Sequence, residues 1–195
     1  MSKPSLAVVK VGGSLCDLSD LGPRLRRWLA TLDRPNVLLV PGGGPAADVV
    51  RDLDSRHGLG EAVAHDLALR ALTLNAHFLA ALLSAPVCNP PVEPLPIGIS
   101  ILDAHAFCAA DAGPGSLPTC WDATSDSVAA RVAAVLGAGE LVLLKSVDFP
   151  EPCDWEEAVR RGLVDPLFAR IVAGEETGRS VRRVRGVNLR GWLLV

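Results

Sequence analysis

Residues Leu6 to Ser14 read LAVVKVGGS, an apolar, β-branched run that carries one lysine and then breaks into Gly-Gly-Ser. The run predicts a buried strand and the glycines a tight turn after it. Glycines let backbone approach an anion closely, and successive N–H groups ahead of a helix supply partial positive charge. Phosphate is the guest that suits such a turn. Plain turn chemistry uses the same residues, so the reading rests on what the rest of the chain adds.

The chain repeats the pattern. Asn36 to Val40 is a second short apolar run, ending in Pro41-Gly42-Gly43-Gly44-Pro45 ahead of a helix expected from about Ala46 to Arg56. Between the two runs, Leu21, Leu25, Trp28, Leu29 and Leu32 recur at helical spacing against Arg24, Arg26 and Arg27, which predicts a covering helix within Leu18 to Leu32. Strand, helix and strand in this order form a βαβ unit. Both glycine turns then fall at the carboxyl edge of a parallel sheet, where ligands bind.

Lysine usage singles out two positions. Of 19 basic residues only Lys3, Lys10 and Lys145 are lysines, and Lys10 and Lys145 end similar strand-like runs, the second within Glu140 to Val147. A compact ammonium at two such sites suits a phosphoryl group, whose transfer depends on stabilising charge spread over its oxygens. Snorkelling from a strand end is the bland alternative. An aspartate close to both would keep them protonated and oriented. Val128, Val132, Val135 and Leu136 form an apolar stripe, so a helix should start near Ser125 or Asp126, with Thr124 or Ser125 as its cap. Asp126 in that first turn is favoured by the helix dipole and is the best-placed partner by sequence. Trp121, Asp122, Thr124 and Ser125 complete a polar loop at the same helix start.

The remaining segments are less informative. Gly60 to Leu83 predicts one long helix or two with a kink; His65, Asp66 and Asn75 either line a pocket or are satisfied within packing. Ala85 to Pro96, with Pro86, Pro90, Pro91, Pro94 and Pro96, predicts an irregular or extended connection. Short helices are expected over Asp103 to Asp111, Trp155 to Arg161 and Pro166 to Val172, and a strand-like end over Val181 to Val195. Five arginines between Arg179 and Arg190 read as a solvated strand face, against a nucleotide-phosphate or partner contact.

With 195 residues, 49% hydrophobic and 21% charged, the chain can bury the core of a single domain. A net charge of -3 gives no general reason to expect nucleic acid or an anionic membrane surface. MSKPSLAVV lacks the features of a signal peptide, and no uninterrupted apolar run is long enough to span a bilayer, so a cytoplasmic location is expected. Five scattered cysteines without a C-x-x-C pair and four unclustered histidines suggest no metal site. A sheet protein this small commonly gains stability by pairing, so a homo-oligomer is expected.

With these residues assembled, the sequence resembles the amino-acid kinase family, which includes acetylglutamate, aspartate, uridylate and isopentenyl phosphate kinases. The blocks that carry the resemblance are KVGGS at Lys10 to Ser14, VPGGGPAADVVR at Val40 to Arg51 and SDSVAARVAAVLGAGELVLLKSVD at Ser125 to Asp148. It implies an α/β fold, a three-layer α/β/α sandwich around a mainly parallel sheet. It also implies ATP as phosphoryl donor, with Mg2+ carried by the substrate phosphates. Lys10, Gly12, Gly13 and Ser14, with Ser146 and Asp148, would contact the ATP phosphates, and Asp126 would organise the catalytic lysines. Gly42, Gly43 and Gly44 would border the acceptor, together with Trp121, Asp122, Thr124 and Ser125. An acceptor-side lobe would span about 1–138 and an abbreviated nucleotide-side lobe about 139–195.

The chain is short for the family, chiefly in the C-terminal part that usually holds the adenine, and it has no later Gly-Gly-Met-type segment with its lysine. Lys145 is the expected substitute. HDLALRALTLNA and WDATSDS look closest to a compact branch associated with methanofuran biosynthesis, whose member phosphorylates an aminomethylfuran-methyl phosphate to its diphosphate. A non-catalytic phosphometabolite or nucleotide sensor derived from such a kinase is the alternative. A dinucleotide-binding oxidoreductase ranks last, because neither turn has G-x-G-x-x-G spacing with an acidic residue ending the next strand.

Overall fold

The computed structural model of the protein describes residues 6–90, 95–175 and 177–192. Lys3, Pro91, Pro94 and the end of the expected last strand, residues 193–195, lie outside the described residues. The strands are β1 (Leu6–Val11), β2 (Asn36–Pro41), β3 (Val87–Cys88), β4 (Gly98–Leu102), β5 (Glu140–Lys145) and β6 (Val184–Asn188). They form one sheet in the order β3-β4-β2-β1-β5-β6, and every pairing is parallel. The helices are α1 (Leu21–Leu29), α2 (Gly44–His57), α3 (Glu61–Leu83), α4 (Ala104–Ala110), α5 (Ser125–Val135), α6 (Trp155–Arg160) and α7 (Phe168–Ala173).

The central strands are buried on both faces, which is why β1, β2 and β5 read as continuous apolar runs without alternation. One face carries Val8, Leu38, Leu141 and Leu143 and packs against α4, α5 and α7. The other carries Val9, Val11, Leu39, Val142 and Leu144 and packs against α1. The long helix α3 serves both cores, through Leu69 and Leu72 on one side and Ala76 and Leu79 on the other. This is the expected α/β/α sandwich.

Two elements extend the sequence reading. Gly98–Leu102, GISIL, lies outside the segments read as strands from the sequence. It becomes β4 because the open edge of β2 offers a parallel partner, a tertiary effect that overrides local preference. The long segment Glu61–Leu83 is one unbroken helix with the length and apolarity of a membrane span, although no run within it is uninterrupted. Here it packs against α2, α4, β2 and β4.

Candidate active site

Lys10 lies on β1 opposite Leu143 of β5, so Lys145, two residues further, points to the same side of the sheet. The row Leu6, Val8, Lys10 and the row Leu141, Leu143, Lys145 both face α5, and each ends in an ammonium at the carboxyl edge. Asp126, in the first turn of α5, meets both. Lys10 Nζ stands 2.8 Å from its Oδ1 as an ion pair, and Lys145 Nζ donates to its Oδ2 at 2.7 Å. Lys145 also donates to the Leu163 carbonyl. Lys10 and Asp126 are each 5% exposed.

Burial pushes the Asp126 carboxyl up, but the two ammonium groups outweigh it and hold the pKa below the ordinary value, so the group is a fixed anion. Lys145 is pulled below the usual lysine value, first by burial and then by the positive charge of Lys10, with Asp126 opposing. One carboxylate therefore binds two ammonium groups at the sheet edge, with Asp165 the next acidic group acting on Lys145.

The two glycine turns form a single structure. A Cβ on Gly13 would stand 2.1 Å from Gly44 N, and one on Gly42 would stand 2.4 Å from Gly13 N, so the turns pack backbone to backbone. Asn75 of α3 fastens the second turn, its Nδ2 donating to the carbonyls of Gly42 and Gly43 at 2.7 Å each. The N–H groups of Gly12 and Gly42, both expected at the site, continue the sheet ladders and bind Leu144 O and Val11 O at 2.7 and 2.8 Å. Gly13 and Ser14 open a 3-10 helix (Gly13–Asp17), Gly44 opens α2 and Ser125 opens α5, so three helix starts converge. First-turn amides lack intrahelical acceptors and carry the positive end of the dipole.

These starts border a cavity of about 250 Å³ lined by Gly13, Ser14, Gly43, Gly44, Thr124 and Ser125 at one part. Its remaining wall is Ala47, Asp48 and Arg51 of α2, His65, Ala68, Leu69 and Leu72 of α3, and Trp121 and Ala123. Trp121 is laid across the helix pair: its ring lies 5.1 Å under the Arg51 guanidinium, and its Nε1 donates to Asp54 Oδ2 at 3.4 Å. Asp122, expected beside it, is exposed and outside this wall. Asp66 is also on the surface, bound to Arg70 at 2.9 Å and His105 at 3.0 Å.

On the β5–β6 side, Ser14 Oγ and Ser146 Oγ share a hydrogen bond of 2.9 Å, and Asp148 accepts from Asn188 Nδ2 at 2.9 Å. Asp148, Phe149, Gly186, Asn188, Gly191 and Trp192 line a second, open cavity of about 400 Å³. The C-terminal arginines divide between the two ends of β6. Arg183 and Arg185 bind the buried Glu140 at the far edge, whereas Arg190 donates to Ser14 O at 3.2 Å and Asp17 Oδ1 at 2.5 Å beside the first turn.

Asp165 escaped the sequence reading, since a lone aspartate in a loop gives no periodic signal. It is buried and accepts from Thr124 N and Oγ1, Ser127 N and Oγ, Leu167 N and Phe168 N, fixing the starts of α5 and α7 together. Burial raises its pKa, with the Ser127 and Thr124 bonds opposing. Among the described residues, no group of three or more His, Cys, Asp or Glu is placed to hold a metal ion.

The model of the Amino acid kinase family matches residues 5–148. The [5-(aminomethyl)furan-3-yl]methyl phosphate kinase of Methanocaldococcus jannaschii is 26% identical over 148 residues, 72% of this chain. The match spans 66% of that protein, just under two-thirds of its length. Uridylate kinase from Archaeoglobus fulgidus superposes with a TM-score of 0.60 at 18% identity, covering 85% of each chain. Aspartate kinase from Synechocystis gives 0.60 at 15% identity, covering 93% of this chain and 37% of that one. At these identities the two superpositions speak for the fold.

Proposed function

The chain belongs to the amino acid kinase family, and from that premise we propose that it is an ATP-dependent phosphotransferase whose acceptor already bears a phosphate. The observation that carries the proposal is the buried clamp, in which Lys10 and Lys145 meet on Asp126 beside three converging helix starts. In phosphoryl transfer the protein mainly positions the reactants and stabilises charge, and this arrangement supplies both.

An acceptor oxygen must attack the γ-phosphorus as the bond to the ADP oxygen breaks. A neutral hydroxyl would need a base to take its proton. Asp126 is engaged by both lysines and its pKa is held below the ordinary value, so it accepts a proton poorly. A phosphate oxygen needs none. Gly13, Ser14, Gly43, Gly44 and the start of α5 would cradle the phosphates, with Ser146, Asp148 and Arg190 on the nucleotide side. Mg2+ would ride on the substrate phosphates and neutralise part of their charge. The second cavity suits part of the nucleotide, which fits a division into an acceptor-side lobe (about 1–138) and a nucleotide-side lobe (about 139–195).

The finer reading is the acceptor. The name of the Methanocaldococcus jannaschii relative supports an aminomethylfuran-methyl phosphate, converted to its diphosphate. The apolar wall of Ala47, Ala68, Leu69, Leu72 and Trp121 suits a small aromatic ring. A cytoplasmic homo-oligomer completes the proposal, with Leu74 and Phe78 exposed on α3 as an apolar surface.

A screen of phosphorylated acceptors with ATP and Mg2+, read as diphosphate product by mass spectrometry and as ADP release, tests the assignment. Nucleotide binding without turnover of any acceptor would instead favour a sensor.

A further inference from the structure

His65 is 5% exposed and borders the acceptor cavity, and neither of its ring nitrogens has a hydrogen-bond partner among the described residues. The Ala123 backbone lies close to the ring and can engage at most one of its two nitrogens. Buried polar groups in native proteins are nearly always paired, and leaving one unpaired costs about 1–3 kcal/mol. An unpaired imidazole on a cavity wall therefore points to a partner that arrives with a ligand.

Its place on α3 says which part of the ligand. His65, Ala68, Leu69 and Leu72 follow one helix face along the cavity, and Asn75, next on that face, grips the glycine turn where the phosphates would sit. Ten residues separate His65 from Asn75, about 15 Å along the axis at 1.5 Å per residue. The imidazole is thus displaced along the helix from the phosphoryl end of the cavity. The stretch between is apolar.

We propose that His65 reads the acceptor, its imidazole accepting a hydrogen bond from the polar group carried at the end opposite the phosphate, a primary ammonium in the acceptor proposed above. This assignment rests on that acceptor reading. Burial holds the ring below the usual histidine pKa, against the upward pull of the Ala123 backbone, Asp66 and Glu61, so it is neutral at pH 7 and keeps a free lone pair. Ala68, Leu69 and Leu72 of α3 offer an amine no hydrogen-bond partner whereas His65 does, so His65 can distinguish an amine-bearing acceptor from its amine-free analogue.

Initial rates for wild type, His65→Leu and His65→Asn with [5-(aminomethyl)furan-3-yl]methyl phosphate and with (5-methylfuran-3-yl)methyl phosphate test this. His65→Leu should raise KM for the amine acceptor about tenfold or more, the loss of one charge-assisted hydrogen bond, and leave KM for ATP unmoved. KM for the amine-free analogue should stay within about threefold, and His65→Asn should recover part of the discrimination. If His65→Leu does not fold, His65→Asn alone carries the test, and its ratio of KM for the amine-free analogue to KM for the amine acceptor must fall below the wild-type ratio. Unchanged KM for the amine acceptor, or equal losses with both acceptors, would overturn the role of His65 and leave the kinase reading standing. If wild type turns over neither acceptor, the acceptor reading fails and takes the role of His65 with it.

Discussion

Lys10 and Lys145 lie far apart in sequence on adjacent parallel strands, yet their ammonium groups bind the two oxygens of one carboxylate, Asp126, at 2.8 and 2.7 Å. The pairing follows from register. Lys10 sits opposite Leu143, and a strand repeats its direction every second residue, so Lys145 must face the same way.

Lys10→Ala should lower kcat by about 10²–10³-fold, the usual consequence of removing a preorganised charge-stabilising group. Lys145→Ala should do the same. ADP release with a turned-over acceptor measures both, and near-wild-type turnover in either variant removes that lysine from the mechanism.

Asp126→Asn leaves the buried Lys10 without its counter-ion and removes a carboxylate from Lys145, and it should destabilise the fold by about 3–5 kcal/mol at neutral pH. The folded pKa of Asp126 lies below its ordinary value of 3.8, so its contribution is complete above that value and disappears as pH falls through the folded pKa. Urea midpoints compared at pH 6 and pH 3 should fall further in wild type than in the variant. An equal fall would mean that Asp126 is not held ionised by the lysines.

Gly13→Ala places a methyl group 2.1 Å from Gly44 N, a contact that only movement of the backbone can relieve. Gly44→Ala meets Gly13 O at 2.6 Å and also adopts φ +50°. Each should cost about 1–3 kcal/mol as overpacking, with lost turnover because the turns border the cavity. Thermal melts beside activity assays check this; a fully active Gly13→Ala protein would contradict the interlock.

Asp165→Ala removes the acceptor that fixes two helix starts, at about 0.5–2 kcal/mol for each. Because α5 presents Asp126, turnover should fall together with Tm, while Asp165→Asn, which keeps one acceptor oxygen, should lie between. A variant with lowered Tm and full turnover would separate the cap from the clamp.

Trp121→Ala should raise KM for the acceptor severalfold and leave KM for ATP unchanged, since the ring covers the α2–α3 side of the cavity. Steady-state kinetics with each substrate varied in turn would detect the split.

The sequence determined the parallel sheet, its central strands and helices and the chemistry of its edge. LAVVKVGGS and ELVLLKSV are runs buried on both faces that break into turn residues, so their apolar content and punctuation report their environment directly. Thr124 as the cap of α5, with Asp126 in its first turn, was legible for the same local reason. Tertiary structure decided the rest. Register brought the two lysines to one carboxylate and tied the amides of Gly12 and Gly42 into the sheet ladders, and chain crossing pressed the two glycine turns together. Asp165, the unpaired His65 and strand β4 depend on partners distant in sequence, and local composition carries no record of a group that is satisfied, or left unsatisfied, only after the chain has folded.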